Sequence, residues 1–535
     1  MATQIATELQ TLESTTLGTN FYVAVTSRKS HERPAKAPPA TLTADDKTAT
    51  VLSKSRAVIV ITQLLGLSLF SSFCNGVVVV ALPAIANTLH LQESLLLWPT
   101  SVFYLTAGSC LLIAGSIADV AGPKSVNMVG ALLGAAFALG CGLARTGGEL
   151  IAFRALQGIA NAIIVPSSIS IISASVEHGR PRNLGFACLG FAGPIGFSLG
   201  LVLGGVFVDS IGWRPAFYLA GAASFILVLM GIWALPRDAR PRSGRSIWKR
   251  LASEVDWVGA VLASTGLATL SYVFATLSAS IHNIRQASNI TLLIISAISV
   301  PAFVGWMHYR VKHNRIALIP NSVWRSGVFT SVCIMVFFTT AVTNCMELFS
   351  SLFFQEVQSQ TALGASLRIL PSLIAGALTN ISTGIFVNRM VVSWTVLISA
   401  GISALAPLLM AFIRPEWPYW YDAFFAQIFA PLSCDILFTV GLLVVSDVFP
   451  THMQALSGAV FNTCAQLGTA LGLTITSVIA ASVTDGSSYA DKASPMALLV
   501  GYRAVFWTMF AWMLFVCLVC ILGLRQVEKI GVKRD

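Results

Sequence analysis

Three ionisable side chains interrupt long apolar stretches of the sequence: Arg154, Glu347 and Asp435. A charge at the centre of a bilayer costs about 2.5–3.5 kcal/mol even on the mildest scale, so such residues face one another or a water-filled cavity. Asp435 falls near the middle of its stretch, and a carboxylate that alternately meets two aqueous sides takes up and releases protons. We therefore expect Asp435 and Glu347 to take part in proton movement across the membrane, and Arg154 to face a water-filled cavity or a partner. The alternatives are a structural pairing of Asp435 with Arg154, and an Arg154 or Glu347 that reaches the membrane surface.

The composition excludes a set of soluble domains. Of the 535 residues, 55% are hydrophobic and 10% are charged, and the mean hydropathy is +0.77. The formal net charge of +10 comes from basic residues spread over short connections. Basic residues in short connections are typical of the charge bias that orients a protein in the bilayer. Because they are not gathered on one face, they argue against nucleic acid as a partner. All ten cysteines lie in apolar segments, which predicts no disulfide framework.

The apolar runs predict an all-α polytopic membrane protein. A bilayer-spanning helix needs about 20 apolar residues, and fourteen such runs are found. Lys and Arg are concentrated in alternate connections, which predicts that both termini are cytoplasmic. The runs lie near 57–82, 95–116, 125–145, 149–174, 184–208, 214–235, 256–278, 290–309, 328–350, 364–387, 392–412, 424–446, 456–481 and 500–523.

The connections divide the chain into two six-helix halves with two inserted helices. A basic cytoplasmic loop, PRDARPRSGRSIWKR, follows the sixth run, and GIFVNRM at 384–390 is a degraded echo of the earlier segment GSIADVAGPK. Such an echo is typical of repeated halves in transporters. The predicted parts are a disordered cytoplasmic tail 1–55, an N-terminal half 56–235, the loop 236–255, the inserted helices 256–326, a C-terminal half 327–524 and a cytoplasmic tail 525–535.

Two glycine-containing segments predict moving or closely packed parts. GSIADVAGPK is a polar turn between two apolar runs, and we interpret Gly115, Asp119, Gly122 and Lys124 as a cytoplasmic gate latch rather than an ordinary charged turn. The fifth run carries a face of small residues that lets a helix pack closely against its neighbours, with or without a role in transport. Its members are Gly193, Pro194, Gly196, Gly200, Gly204 and Gly205.

Amide side chains within the apolar runs predict a mixed polar and aromatic substrate cavity. Each amide alone is equally compatible with a hydrogen bond between helices, but together they suit an amphipathic organic solute. The candidates are Gln157, Asn161, Asn344, Asn380, Gln427, Asn462 and Gln466, with Phe103, Tyr104 and Phe354. Asn289 begins a glycosylation sequon whose use is doubtful because it lies close to a predicted span.

Several of these segments resemble the motifs of one family. GSIADVAGPK, RALQG around Arg154, the glycine-rich fifth run and ALPAIA after Val80 resemble the major facilitator superfamily, in its fourteen-span drug:proton antiporter branch. FAPLSCDILFTV resembles a fungal group with aminotriazole-resistance proteins and low-affinity ammonium transporters. The branch commonly has an aspartate in span 1 where this chain has Cys74, so we expect Asp435 to replace it. In the superfamily the arginine of the span 4 motif is linked to proton coupling, so the resemblance implies this role for Arg154.

The resemblance implies a monomeric plasma-membrane transporter of the major facilitator fold that exchanges a small molecule for protons, without a cofactor. Three functions stay open at this stage. The first is proton-coupled export of a toxic compound or secondary metabolite. The second is low-affinity uptake of a small cation such as ammonium, and the third is a membrane receptor that transports nothing. No phosphate-binding loop, metal-ligand cluster or nucleophile motif is found in the sequence, so catalysis has no support there.

Overall fold

The computed structural model describes residues 53–92, 95–176, 180–236, 247–279, 285–313, 319, 321–386, 391–448 and 451–525. The expected tail 1–55 lies outside these residues up to position 52, as does the segment 387–390 of the GIFVNRM echo. In the described part the chain is helical without strands, as the apolar runs predict. The region Thr50–Asp535 forms one compact unit.

Six long helices form the first half of this unit. Gly122 has φ +102°, a conformation that L side chains rarely adopt, and Pro123 follows it as the first residue of the next helix. Thr146 caps a later helix by accepting a hydrogen bond from the Glu149 amide. The helices are α1 Lys54–Leu89, α2 Trp98–Ala121, α3 Pro123–Leu143, α4 Gly147–Ser175, α5 Arg180–Ser210 and α6 Arg214–Ala234.

The sequence predicts a loop for the basic connection after α6, but part of this connection is helical. It contains a short helix, α7 Ile247–Glu254, followed by the inserted helices α8 Trp257–Ala279 and α9 Ala287–Lys312. Asp256 joins the two inserted helices, because its carboxylate accepts from the Gly259 amide at 3.1 Å and from Trp306 Nε1 at 2.9 Å. It also pairs with Arg310 at 3.8 Å.

The second half contains two irregular helices. The first helix continues from Leu352 into a π-helical segment, Phe353–Val357. The fourth predicted span of this half is divided into two helices, the first of which ends at Phe429. The elements are α10 Gly327–Leu352, α11 Ala362–Phe386, α12 Val392–Phe412, α13 Ala423–Phe429, α14 Leu432–Val448, α15 Thr451–Asp485 and α16 Pro495–Gly523.

Thirteen helices of the described residues are long and apolar enough to cross a membrane. They include Gly327–Val357, which extends through the π-helical segment, and Ala423–Gly441, which spans the break between α13 and α14, and α8 offers a shorter apolar stretch, Trp257–Leu270. The structure thus shows a multi-pass membrane protein. The number fourteen stays a prediction.

The two halves meet along two helix pairs. α2 packs against α15, and α5 packs against α11. The inserted helix α8 lies against α2 and α15 at one of these seams, where Ser264 Oγ donates to the carbonyl of Ser109 at 2.8 Å. Two six-helix bundles related in this way, with a helical hairpin beside them, are the predicted architecture.

Within the first half, α1 and α5 cross at backbone contact. A Cβ atom at Gly200 would lie 2.1 Å from the carbonyl oxygen of Phe73, and one at Gly196 would lie 2.1 Å from that of Leu69. Gly204 lies against α1 as well, whereas Gly205 faces Leu363 of α11. The small-residue face predicted for the fifth span is therefore a packing surface toward both halves. Gly193 and Pro194, one turn earlier, face the cavity described below.

Replacing Gly200 with alanine should destabilise the protein, because the new methyl group collides with backbone atoms that no side-chain rotation can move. Overpacking of this kind costs about 1–3 kcal/mol. Gly190 lies on the same helix, and a Cβ atom added there would have no neighbour within 4 Å, so Gly190→Ala is the matched control. We expect a lower melting temperature of the detergent-purified protein for Gly200→Ala only. Equal melting temperatures for the two variants would contradict the assigned crossing.

Candidate functional site

A cavity of about 260 Å³ lies between the two halves. Helices α1, α2, α4 and α5 form one wall, and helices α10, α11, α14 and α15, with Pro431, form the other. Its aromatic members include Phe103, Tyr104 and Phe197. The polar members are Ser71, Ser72, Asn75 and Asn161 from the first half, and Thr343, Asn344, Glu347, Ser372, Asp435 and Gln466 from the second.

Two carboxylates face this cavity, both from the second half. Glu347 lies on α10 and is 9% exposed, and Asp435 lies in the first turn of α14. Asp435 packs directly against Gly376, where a Cβ would lie 2.5 Å from its Oδ2, and is hydrogen-bonded to Asn380. No ion pair of either carboxylate is found within the described part of the chain. Unpaired carboxylates in a membrane protein cavity are free to exchange protons or bind a cation.

A helix break places Asp435 at the cavity. α13 ends at Phe429 and α14 begins at Leu432, with Pro431 between them lining the cavity. Proline has no backbone N–H to donate, so it weakens the helix at this point. The carboxylate lies at the positive end of α14, where a negative charge is stabilised. Discontinuous helices whose ends face a midplane site are a known feature of transporters. Pro431 was the sequence signal for this break.

Arg154 is completely buried beside the first-half wall. Its Nη2 donates to Asn75 Oδ1 at 2.6 Å, its Nη1 to Gln157 Oε1 at 2.6 Å and its Nε to the carbonyl of Pro99 at 2.9 Å. The guanidinium carbon lies 4.6 Å from the centre of the Phe103 ring, within the range of a cation–π contact. The three acceptors belong to α1, α4 and α2, so Arg154 ties these helices together.

Both alternatives for Arg154 are therefore wrong. Its full burial excludes an arginine that reaches the membrane surface, and its hydrogen-bond partners within the described residues are neutral oxygens rather than Asp435. Glu347 likewise faces the cavity and not the interface. The coupling role of these three residues stays a prediction, but the structure brings Glu347 and Asp435 to one cavity and places Arg154 behind its opposite wall.

Five of the residues predicted for a substrate cavity lie in the wall of this cavity, and their role in binding a substrate stays a prediction. They are Asn161, Asn344, Gln466, Phe103 and Tyr104. Gln157 lines a small adjoining pocket of about 20 Å³, which shares Ser71 and Asn161 with the main cavity.

Besides Gln157, four predicted members lie outside the cavity wall, three of them with partners elsewhere. Gln427 is buried and donates to Ser350 Oγ, Asn462 donates to the carbonyl of Gly458 on its own helix, and Phe354 packs against Tyr419. None of the three lines the cavity. Asn462 lies one turn before the cavity residue Gln466 on the same face of α15, so its depth along the helix separates it from the wall, and residue type alone does not reveal that depth. Asn380 is not in the cavity wall but contacts Asp435 from behind.

The four residues interpreted as a gate latch differ in what the structure shows of their local contacts. Gly122 forms the left-handed turn, and Lys124 Nζ donates to the carbonyl of Leu235 at 2.9 Å, at the end of α6. Gly115 is not required for a close crossing, because a Cβ there would meet Pro166 at an ordinary 3.7 Å. The side chain of Asp119 lies outside the described part. The latch function remains a prediction.

Asn289 does not fit a glycosylation site. It lies within α9, is 2% exposed and accepts a hydrogen bond from Thr276 of α8. A buried amide between two helices is inaccessible to a glycosyltransferase.

The sequence reasoning missed five polar residues of the cavity wall, namely Ser71, Ser72, Asn75, Thr343 and Ser372. Asn75 lies one helical turn after Ser71 on α1, and Ser372 lies next to Pro371 on α11. Ser372 is 1% exposed, and its hydroxyl has no hydrogen-bond partner within the described residues. The period of about 3.6 residues that separates Ser71 from Asn75 was the available signal.

At the end of the bundle that the sequence predicts to be outside, the halves are joined by hydrogen bonds. The Asp209 carboxylate, at the end of α5, accepts from the amides of Ala362 and Leu363 at 3.2 and 3.0 Å. Ser366 Oγ donates to the carbonyl of Leu201 at 2.8 Å, and Gln355 Nε2 donates to that of Val80 at 3.1 Å. An acidic group at the start of α11 also suits the helix dipole. These contacts join the two halves on this side.

Tyr419 and Arg368 form a second group of contacts at the same end of the bundle. Tyr419, in the connection between α12 and α13, donates its hydroxyl to the carbonyl of Arg368 at 2.7 Å. Burial raises the pKa of Tyr419 to about 12, against the lowering effect of Arg368. Tyr419 therefore stays a hydrogen-bond donor at neutral pH and holds the outer part of α11.

We expect Asp209→Ala to weaken the contact between the end of α5 and the start of α11. Without the carboxylate, the amides of Ala362 and Leu363 lose their acceptor, and hydrogen exchange in the peptide around 361–366 should become faster. Asp209→Asn keeps one acceptor oxygen, so its exchange rate should be intermediate. The measurement is hydrogen–deuterium exchange of the purified protein, with the distant peptide at the start of α16 as an internal reference. Unchanged exchange in Asp209→Ala would contradict the assigned contact.

Comparison with known proteins agrees with this architecture. Residues 64–367 match the Major Facilitator Superfamily model. The chain is 39% identical to MFS-type transporter 1 of Pyricularia oryzae over 525 residues, which cover 90% of this chain and 85% of the relative. It is 26% identical to the low affinity ammonium transporter of Saccharomyces cerevisiae, over 73% of this chain and 75% of that protein.

Among solved structures, an inward-facing bacterial homologue of the human lysosomal transporter Spinster superposes with a TM-score of 0.62 at 15% identity. The match covers 89% of this chain and 98% of that one. At this identity the likeness concerns the fold alone, and it confirms the major facilitator fold. Proteins of this family bind small molecules and carry them across membranes. The matched residues, the relative of high coverage and the shared fold establish that this chain belongs to the Major Facilitator Superfamily.

Proposed function

We propose that the protein is a proton-coupled exporter of a small amphipathic organic compound. The observation that carries this proposal is the pair of carboxylates, Glu347 and Asp435, that line a cavity between the two halves without an ion-pair partner in the described residues. Each can bind a proton or a cationic solute, but not both at once. Competition of this kind is the minimal requirement for antiport.

The transport cycle follows from this competition. With the cavity open to an acidic exterior, protons occupy the carboxylates and the solute leaves. When the outer contacts of Asp209 and Gln355 form, the halves rock about the cavity and open it to the cytosol, where the protons are released and a new solute binds. Arg154 stays buried throughout and keeps the first-half wall intact. The cavity lies within one chain, so we propose that the monomer is the working unit.

Its size favours an organic solute over ammonium. The cavity holds about 260 Å³, whereas a water molecule, close in size to ammonium, occupies about 30 Å³. Phe103, Tyr104 and Phe197 add aromatic surface that a small hydrated ion does not use. Export is further supported by the resemblance of the glycine-rich α5 to the antiporter motif. We place the protein in the plasma membrane with both termini in the cytosol, on the asymmetry of Lys and Arg.

The first experiment is growth of a fungal host that lacks its own exporters and ammonium transporters, with and without this chain. Plates carry a panel of toxic amphiphiles or limiting ammonium. Resistance together with a lower cell content of the compound would support export. Rescue on ammonium without resistance would replace export by uptake, and the absence of any flux would favour a receptor.

We expect Asp435→Asn to abolish proton-driven export, because the amide cannot bind and release a proton. Efflux of an accumulated compound should no longer respond to acidification of the medium, while the level of protein in the membrane stays unchanged. Asp485→Asn is the matched control, since Asp485 is exposed at the far end of α15, 19 residues from the cavity residue Gln466. Efflux by Asp435→Asn that still follows the pH gradient would refute the coupling role.

A further inference from the structure

The orientation of the Asn75 amide is fixed by its neighbour. A guanidinium has only donors and remains charged in proteins, so the atom of Asn75 that lies 2.6 Å from Arg154 Nη2 must be the amide oxygen. The amide nitrogen, with two N–H donors, is left for the cavity that Asn75 lines. Within the described residues this nitrogen has no protein acceptor. The first-half wall therefore presents hydrogen-bond donors at this point.

On the opposite wall, the Asn344 amide is held in the reverse orientation, with its oxygen toward the cavity. The atom of Asn344 that lies 2.9 Å from the backbone carbonyl of Thr340 must be its nitrogen, because a carbonyl oxygen only accepts. The same nitrogen donates to Thr469 Oγ1 at 3.2 Å. Asn344 is left with its carbonyl oxygen for the cavity, beside the carboxylates of Glu347 and Asp435. The second-half wall therefore presents acceptors.

We propose that the cavity is polarised and selects a solute with a hydrogen-bond acceptor, such as a carbonyl or ether oxygen, at one end and a protonated amine at the other. Asn75 is then the residue that selects for the acceptor end, and Glu347 with Asp435 receives the amine. Arg154 does not touch the solute, because it is completely buried. It acts as a positioning residue that keeps the Asn75 donors turned toward the cavity.

The composition of the walls supports this assignment. Among the described residues, those that line the cavity include two acidic side chains and no Lys or Arg. The volume of about 260 Å³ lies just below the range of about 300–1,000 Å³ for drug-sized ligands, so the solute is a compact molecule. The biological meaning of this inference rests on the proposed transport function. Its test measures binding alone and does not depend on transport.

The test uses three compounds that share an indole ring. 5-Methoxytryptamine has both an ether oxygen and an amine, 5-methyltryptamine lacks the oxygen, and N-acetyl-5-methoxytryptamine lacks the charge. Binding to the purified full-length protein is measured at one neutral pH without a membrane gradient. We expect 5-methoxytryptamine to bind about three- to tenfold more tightly than 5-methyltryptamine, which is the range of one neutral hydrogen bond. The acetylated compound should bind at least about tenfold more weakly than 5-methoxytryptamine.

Variants of the positioning pair assign the preference to Asn75. Asn75→Asp keeps a partner for Arg154 but has no donor for the cavity, so the advantage of the methoxy compound should disappear while 5-methyltryptamine still binds. Arg154→Gln should reduce the same ratio, because the amide of Asn75 is then free to turn over, and Arg154→Lys should restore part of it. A merely structural role would weaken both ligands equally. Asp485→Asn serves as the control that keeps the full ratio.

Three outcomes would overturn the inference: equal affinity of the wild type for the methoxy and methyl compounds, an unchanged ratio in Asn75→Asp, or no binding of either amine below about 1 mM. The proposed transport function fails by a different measurement. Loss of response to the pH gradient in the wild type would refute proton coupling and leave the binding ratio intact. A normal gradient response with equal affinities would refute only the polarised cavity.

Discussion

The charge of Arg154 is the constraint on which the first half depends. A guanidinium that is shielded from solvent must satisfy its donors within the protein, since an unpaired buried charge is destabilising by several kcal/mol. Three oxygens do so here, from Asn75 of α1, Pro99 of α2 and Gln157 of α4. Three helices are thereby fixed relative to one another at a single point. Because α1 also crosses α5 at backbone contact, that point determines one wall of the cavity.

The second half holds its charges differently. Glu347 and Asp435 face the cavity and lack ion-pair partners in the described residues, so their protonation can change without rearranging the bundle around them. Asp435 lies at the helix break by Pro431, next to Gly376 and Asn380 of α11. One wall therefore has a fixed hydrogen-bonding pattern and the other has a variable charge. In the cycle that we propose, rocking of the halves changes access to both walls while leaving each intact.

Much of the fold followed from the sequence because hydrocarbon permits few structures. Long apolar runs had to be helices, and a charge within them had to face inward, so Arg154, Glu347 and Asp435 were found from residue type alone. Gly122 was predicted for the same kind of reason, since a tight reversal requires a residue that tolerates positive φ.

The cavity wall was predicted less completely, because an amide in an apolar run costs less than a charge and is tolerated on any face with a partner. Gln427 and Asn462 have such partners in Ser350 and Gly458, and neither lines the cavity. Asn75 was not predicted, although it lies in the wall, because its residue type alone does not distinguish it from amides that face a neighbouring helix. The rotation of a helix about its axis depends on contacts with its neighbours, which no single apolar run contains.

The thiol at position 74 fits this division between the walls. Cys74 is 1% exposed and is hydrogen-bonded to Gln157, which also accepts from Arg154. A carboxylate at position 74 would lie next to the Arg154 cluster, where it would form an ion pair and compete with Asn75 for the guanidinium. With a neutral side chain there, the three acceptors of Arg154 in this structure are all neutral oxygens. In the exchange that we propose, Glu347 and Asp435 are then the groups whose charge changes, and protons replace at this wall the protonated amine that leaves it.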